Sequence, residues 1–169
     1  LKQLRDLGVE PYPAAMFEVN ATSKKIKENY KEGTSLEVVI AGRLMSRRIM
    51  GKASFAEIQD IGGRIQVYVN RDEICSGEDK KTYNLVFKKL LDIGDIIGIR
   101  GVVFMTKVGE VSIKAKELIV LAKSLRPLPL PKEDADGRIH DAFTDPEKRY
   151  RQRYVDLVVN PEVKNVFIK

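Results

Sequence analysis

Between Leu36 and Leu121 the chain sets apolar against polar residues in five separate alternating runs, the period-two mark of half-buried strands. The first run, Leu36 to Met50, puts Val38, Ile40, Gly42 and Leu44 on one face. In the second, Ala56 and Ile58 share one face while Phe55, Glu57 and Gln59 share the other. In the third, Ile65, Val67 and Val69 form the inner stripe, so Arg64, Gln66 and Tyr68 point the opposite way. Asp95 to Thr106 predicts a fourth strand. Val111 to Leu121 predicts a fifth, with Val111, Ile113 and Ala115 inward and Glu110, Ser112 and Lys114 on the opposite face. Gly42, Gly98 and Gly101 fall inside strands, where bends or bulges are expected. Gly62-Gly63 joins the second and third strands as a hairpin.

Between the third and fourth strands the period changes. Asp72 to Leu91 is polar and then apolar at helical spacing, with Tyr83, Val86, Phe87, Leu90 and Leu91 on one stripe. A helix here would plug one end of a barrel. Five strands, a helix between the third and fourth, and glycines at the bends predict a mainly β fold with flanking helices: a five-stranded Greek-key OB-fold barrel.

Outside the strands, LKQLRDLGVEPYP reads as a short helix ended by Gly8 and the Pro11/Pro13 pair. Residues 22–32 predict a charged surface helix with Thr22 or Ser23 as N-cap, Gly33 as its stop, and Ile26 and Tyr30 as a docking edge. After Lys123 the run Arg126-Pro127-Leu128-Pro129-Leu130-Pro131 predicts an extended linker. Asp145-Pro146-Glu147 opens a helix carrying Lys148, Arg149, Arg151 and Arg153, Asn160-Pro161 breaks it, and another helix follows to Lys169. The division is therefore an N-terminal helical segment over 1–35, a barrel over 36–123, a proline-rich linker over 124–144, and the start of a further domain over 145–169. Beginning at a leucine in mid-pattern and stopping inside an amphipathic helix, the chain reads as part of a longer one.

Composition narrows the chemistry. With 169 residues, 43% of them hydrophobic, the chain can bury one good core. A net charge of +6 favours a polyanionic partner, although such an excess is also common in proteins that bind nothing charged. One cysteine, Cys75, and one histidine, His140, exclude an internal disulfide and a zinc site of the usual Cys/His kind. The single cysteine points to a cytoplasmic setting. There is no glycine-rich phosphate loop followed by Lys-Ser/Thr and no nucleophile elbow. No apolar run is long enough to span a bilayer, and no signal peptide opens the sequence. The pattern is that of a binder rather than a complete enzyme.

Phe55 and Tyr68 stand on the polar face of their strands, with Gln66 beside them and basic residues on both sides. A flat ring can stack on an unpaired base, an amide can read the base edge, and cations can hold phosphates. The alternation alone leaves a second reading open, in which a loop covers both rings and they extend the core.

The strings GRLMSRRIMGKASFAEIQDIGGRIQVYV, LRPLP and FTDPEKRYRQRYVDLVVNPEV together closely resemble lysyl-tRNA synthetases of the bacterial type. These are class II enzymes in the subgroup shared with the aspartyl and asparaginyl enzymes. The resemblance covers essentially the whole chain. It implies an OB-fold that binds the anticodon of lysine tRNA (UUU or CUU), followed in the parent by a domain that joins lysine to tRNA using ATP and magnesium. In the subgroup a phenylalanine stacks on the central anticodon uridine and a glutamine eleven residues later reads its edge; these match Phe55 and Gln66. The family's aromatic two residues further matches Tyr68. Arg48 and Met50 fall where first-hairpin contacts lie, Arg43 matches a phosphate contact, and Glu110 fits an acidic base-reading position, with Ser112 the alternative register. For Arg43 and Arg48 a solvated surface cation is the competing reading.

RYRQRYVDL resembles the segment leading into the first class II motif, which builds a homodimer interface in that family. Only its beginning is present, and the second and third motifs, which hold ATP and magnesium, are absent. The resemblance therefore implies no cofactor and no catalytic residue within these 169 residues, and no aminoacylation by the chain alone. Three other readings stay in view: a general single-strand-binding OB domain, a protein-interaction module, and the anticodon domain of an aspartyl or asparaginyl enzyme.

Overall fold

The computed structural model describes residues 1–31, 33–129, 132–133, 139–140 and 143–168. It divides into two compact units, Leu1–Leu125 and Arg126–Lys169. The first is a closed barrel of five strands: β1 (Leu36–Met50), β2 (Ala53–Gln59), β3 (Arg64–Asn70), β4 (Ile96–Met105) and β5 (Val111–Ala122). Their order around the barrel is β1-β2-β3-β5-β4. All neighbours are antiparallel except β3 and β5, which run parallel. This is the predicted five-stranded OB-fold, and the inward stripes are the predicted ones. Val38, Ile40, Leu44, Ile58, Val67, Ile97, Ile99 and Ile113 are all buried.

Closing a barrel with so few strands requires strong coiling, which bulges and missing side chains supply. β1 pairs with β4 through Leu36–Arg43 and with β2 through Arg43–Met50, and the register shifts between Leu44 and Ser46. At this bulge Leu44 and Met45 are both buried, Leu44 in the barrel core, as the strand passes from one partner to the other. A second shift separates Arg100 from Gly101 on β4, where a Cβ on Gly101 would stand 2.2 Å from the Lys114 carbonyl oxygen. Gly98 plays a different part from the predicted bend. Its bare backbone seats the ring of Phe17, whose Cζ lies 2.6 Å from where a Cβ would be.

The plug between β3 and β4 differs from the single helix predicted over 72–91. A short helix, α3 (Arg71–Ile74), ends before Gly77, and a separate π-helix follows over Thr82–Leu90. Its wider winding is marked by the bond from the Leu91 N–H to the Val86 carbonyl, five residues back (2.9 Å). That spacing lets Val86 and Leu91 both face the core with Tyr83 and Phe87, while Leu90 is only half-buried. The Tyr83 and Phe87 rings stack at 5.6 Å. The Tyr83 hydroxyl hydrogen-bonds Ser54 Oγ (2.7 Å) and the Gly51 carbonyl (3.0 Å), so a buried polar tip is fully employed.

Two helices precede the barrel, α1 (Lys2–Asp6) and α2 (Ser23–Asn29). Thr22 caps α2 as predicted, but the helix ends at Tyr30, short of Gly33, with Ile26 buried and Tyr30 packed on the core. Asp60 ties α2 to the β2–β3 turn. Its carboxylate accepts from the Ser23 N–H (2.7 Å) and hydroxyl and from the Gly62 and Gly63 N–H groups (2.7 and 3.0 Å). At the other end of the barrel the buried Asp95 carboxylate accepts from Lys123 Nζ (2.6 Å) and from the Asp92 and Ser124 N–H groups (2.7 and 2.8 Å).

The second unit holds the two-residue strands β6 (Lys132–Glu133) and β7 (Ile139–His140) and the helices α4 (Pro146–Arg151), α5 (Arg153–Val159) and α6 (Pro161–Ile168). Leu130 and Pro131 of the predicted linker, with 134–138, 141–142 and Lys169, lie outside the described residues. The predicted helix from Glu147 to Val159 is interrupted at Gln152, whose φ of −118° and ψ of 53° are not helical. The break lets Arg149 and Arg153 converge on buried Asp156, at 3.0 and 2.8 Å, with Asn160 Nδ2 at 2.6 Å. Burial alone would raise the Asp156 carboxyl. Hydrogen bonds from Asn160 and Arg149, with the charges of Arg149 and Arg153, outweigh that and hold it below its ordinary value of 3.8.

Two outcomes are expected. Because a depressed native value means the unfolded carboxyl binds protons first, the Asp156 contribution is complete above the ordinary value and is lost as pH falls through the native one. Protection of the Asn160 N–H, bonded to the Asp156 carbonyl, measured relative to the intrinsic exchange rate at each pH, should therefore fall on acidification in the unaltered chain and already be low at neutral pH in Asp156→Ala. In the barrel, Gly101→Ala should lower stability by about 1–3 kcal/mol or more, because the new Cβ meets backbone that cannot yield. Gly77→Ala, with open space around it, should stay within about 0.5 kcal/mol. Urea unfolding of the two variants checks the contrast.

Candidate nucleic-acid interface

Strand register builds the candidate site as two parallel rows across the sheet. One row runs Arg48, Phe55, Tyr68, Lys114 from β1 through β2 and β3 to β5. The next runs Ser46, Glu57, Gln66, Ser112, Phe104 and ends on β4. Because side chains alternate between faces, the residues separating these rows, such as Ala56 and Val67, are buried in the barrel. The rows face an open cleft of about 860 Å³, with Thr106, Lys107, Val108 and Glu110 of the β4–β5 turn along its rim.

Phe55 and Tyr68 are half-buried on the floor of this cleft, and among the described residues of the first unit no loop covers them. Their ring centroids lie 5.3 Å apart, and Phe104 continues the series 6.2 Å beyond Tyr68 in an edge contact. The tilts leave ring surface for a flat partner. Gln66 lies in the adjoining row, and its Nε2 donates to Ser112 Oγ at 3.0 Å. Of the predicted residues, the fold therefore gathers Phe55, Gln66, Tyr68, Arg48 and Glu110 around one cleft.

The other two stand apart. Met50 ends β1, is exposed, and does not line the cleft. Arg43 lies at the middle of β1, seven residues from Met50, where the strand passes from β4 to β2, and its Nη1 donates to the Gly94 carbonyl (2.8 Å). It therefore braces the turn before β4. The neighbouring Arg47 is also turned away from solvent: its guanidinium bonds the Phe87 carbonyl and lies 5.7 Å from that ring. Burial lowers its proton affinity, an effect opposed by the charges of Asp92 and Asp95.

The cleft is mixed in charge. Arg48, Lys107 and Lys114 line it together with Glu57 and Glu110. Glu57 is paired with Arg64 (3.1 Å) and Lys114 with Glu73 (2.6 Å). Carboxylates repel phosphate, so in a nucleic-acid cleft their use is to accept from base N–H groups. Sequence reasoning missed Phe104 and the turn residues Thr106, Lys107 and Val108. The signal for Phe104 was its alternation with buried Val103, which sets its ring on the outer face of β4.

Comparison with known proteins adds to this geometry. Residues 38–121 match the family described as an OB-fold nucleic acid binding domain, so the match covers the barrel. The whole chain aligns at 63% identity with a lysine–tRNA ligase of Christiangramia forsetii. The corresponding proteins of Porphyromonas gingivalis and Azobacteroides pseudotrichonymphae align at 58% and 53%. Over its whole length the chain is similar to lysine–tRNA ligases. It spans 29% to 34% of the length of these three ligases, all of it aligned. Among its described residues no helix is long and apolar enough to cross a membrane.

Proposed function

We propose that the barrel reads the anticodon of a lysine tRNA on behalf of a lysine–tRNA ligase. The observation that carries this reading is the cleft itself: Phe55 and Tyr68 lie uncovered side by side, with the Gln66 amide in the next row. In the proposed complex Phe55 stacks on the central anticodon base, Gln66 meets its Watson–Crick edge, and Tyr68 and Phe104 extend the stacking surface. Arg48 and Lys107 hold the backbone at the rim, where their contribution is salt-dependent and blind to sequence. Glu110 is placed to accept from a flanking base. Met50 is left with a contact only at the mouth of the first hairpin, and Arg43 with a bracing role.

The wider function comes from the relatives, which are lysine–tRNA ligases. The protein to which this barrel contributes would join lysine to tRNA with ATP and magnesium, as a class II homodimer of the cytoplasm. Among the described residues no group of three or more His, Cys, Asp or Glu side chains is placed to hold a metal ion. In this reading ATP and magnesium belong to the rest of the parent protein, and no catalytic step is assigned to these residues. In this reading residues 1–35 are a helical preface, 36–123 the reader, 124–144 a linker and 145–169 the approach to the catalytic domain.

The experiment is an anisotropy titration of the chain with a UUU anticodon stem-loop and with the same hairpin carrying a central C, at fixed salt. A clear preference for UUU is expected; equal binding would leave a single-strand-binding OB module, and no binding an interaction module. Phe55→Ala should weaken binding by about 1–3 kcal/mol with the fold intact. Gln66→Ala should instead flatten the preference at the central base, and an unchanged preference would remove Gln66 from the reading.

A further inference from the structure

A glutamine amide is a poor reader by itself. Its oxygen accepts and its nitrogen donates, and a half-turn about the last side-chain bond exchanges them at little cost. Uracil offers an N3–H donor between two carbonyl acceptors. Cytosine offers an N3 acceptor beside an amino donor. A glutamine free to turn or slide can make two hydrogen bonds to either base, so Gln66 discriminates only if something fixes its amide.

The structure supplies that fixing group beneath the cleft. Ser112 is fully buried, and its register partner across the parallel β3–β5 seam is Gln66. The Ser112 hydroxyl also lies 3.3 Å from the Glu110 carbonyl oxygen, which can only accept. The Glu110 carbonyl, which also accepts from the Thr106 N–H (2.9 Å), takes the hydroxyl proton in this arrangement, and Oγ presents lone pairs to Gln66. Only the NH₂ end of the amide can meet them, at 3.0 Å. The order of donation is fixed from the backbone outward: Gln66 Nε2 to Ser112 Oγ, and Ser112 Oγ to Glu110 O. What remains for a ligand is the Gln66 carbonyl oxygen with one amide N–H beside it. That pairing suits the uracil N3–H and a neighbouring carbonyl. Reversing it for cytosine would draw the hydroxyl proton from the Glu110 carbonyl to the amide oxygen, giving up the bond that completes this order of donation.

Resting on the anticodon reading above, we infer that Ser112 is a positioning residue that sets the donor–acceptor polarity of Gln66 and so makes the central position selective for uracil over cytosine. It touches no base itself. Its effect falls on the ratio of two affinities, not on the grip of the cleft as a whole, because the stacking rings and the rim cations are untouched.

The test titrates the unaltered chain and Ser112→Ala with the UUU hairpin and its central-C counterpart. The alanine variant removes one oxygen and adds no volume, and urea unfolding checks that it folds. Its U-over-C ratio should shrink by about fivefold or more, the scale of one net hydrogen bond, chiefly through tighter binding of the central-C loop. A ratio equal to that of the unaltered chain overturns the role of Ser112 while leaving the anticodon reading standing. Equal binding of both hairpins by the unaltered chain overturns the reading and this inference together. A second measurement does not depend on the variant folding. In ¹⁵N spectra of the free, unaltered chain, the Gln66 side-chain NH₂ should exchange with water more slowly than those of exposed Gln3 and Gln152. Exchange as fast as theirs also overturns the inference.

Discussion

The parallel contact between β3 and β5 is the shortest seam of the barrel, and both the closure and the cleft depend on it. Its register joins Gln66 to Ser112, Val67 to Ile113 and Tyr68 to Lys114. The middle pair is buried, which fixes the outer two on the opposite face. A slip of one residue would exchange the two sets, putting Gln66 and Tyr68 into an apolar interior and Val67 into water. The seam cannot be held by a tight turn, since parallel strands need a long crossover. Here the crossover is the π-helix and β4, and the stacked Tyr83–Phe87 pair fills the end of the barrel that the crossover spans. Core packing, closure and the alignment of the candidate site are in this way one constraint.

Much of this was legible from alternation. A half-buried strand writes its inner face every second residue, so the five strands, the inner stripes and the outward set of Phe55, Gln66 and Tyr68 could be read directly. Gly101 also kept its predicted meaning. The π-helix was not legible, because Tyr83, Val86 and Phe87 suit an α-helix equally well; the winding is decided by the cavity they fill. Gly98 was read as a bend when it is a seat for Phe17, a partner too distant in sequence for local pattern to supply.

The cations were the least legible part of the site. A residue count gives +6 but does not say where each charge is spent. Arg43 and Arg47 are engaged by carbonyl oxygens of the first unit, and Arg149 and Arg153 by Asp156 in the second. Two of the three arginines of RYRQRYV, Arg149 and Arg153, are therefore spent on a buried carboxylate while Arg151 stays exposed beside Glu147, an arrangement made possible by a helix break at Gln152 that no proline or glycine announces. Ser112 shows the same limit for a polar group. Its outward register was predicted, but its burial under Gln66 depends on β3 and β5 meeting.

The β2–β3 turn and the β4–β5 turn at the rim of the cleft differ in what they can absorb over evolutionary time. In the β2–β3 turn one carboxylate serves the turn and the first residue of α2 together, and the space above Gly62 is taken by the Lys24 backbone, 2.9 Å from where a Cβ would stand. An inserted residue there would unseat a helix. In the β4–β5 turn the bonds run between Thr106, Gly109 and Glu110, while Lys107 and Val108 stand in solvent at the rim. That turn can lengthen or shorten without disturbing the barrel. Descendants of this fold can thus vary how far a flap reaches over the cleft while its floor keeps its length, so that how long an occupant is held and which occupant is chosen are open to separate adjustment.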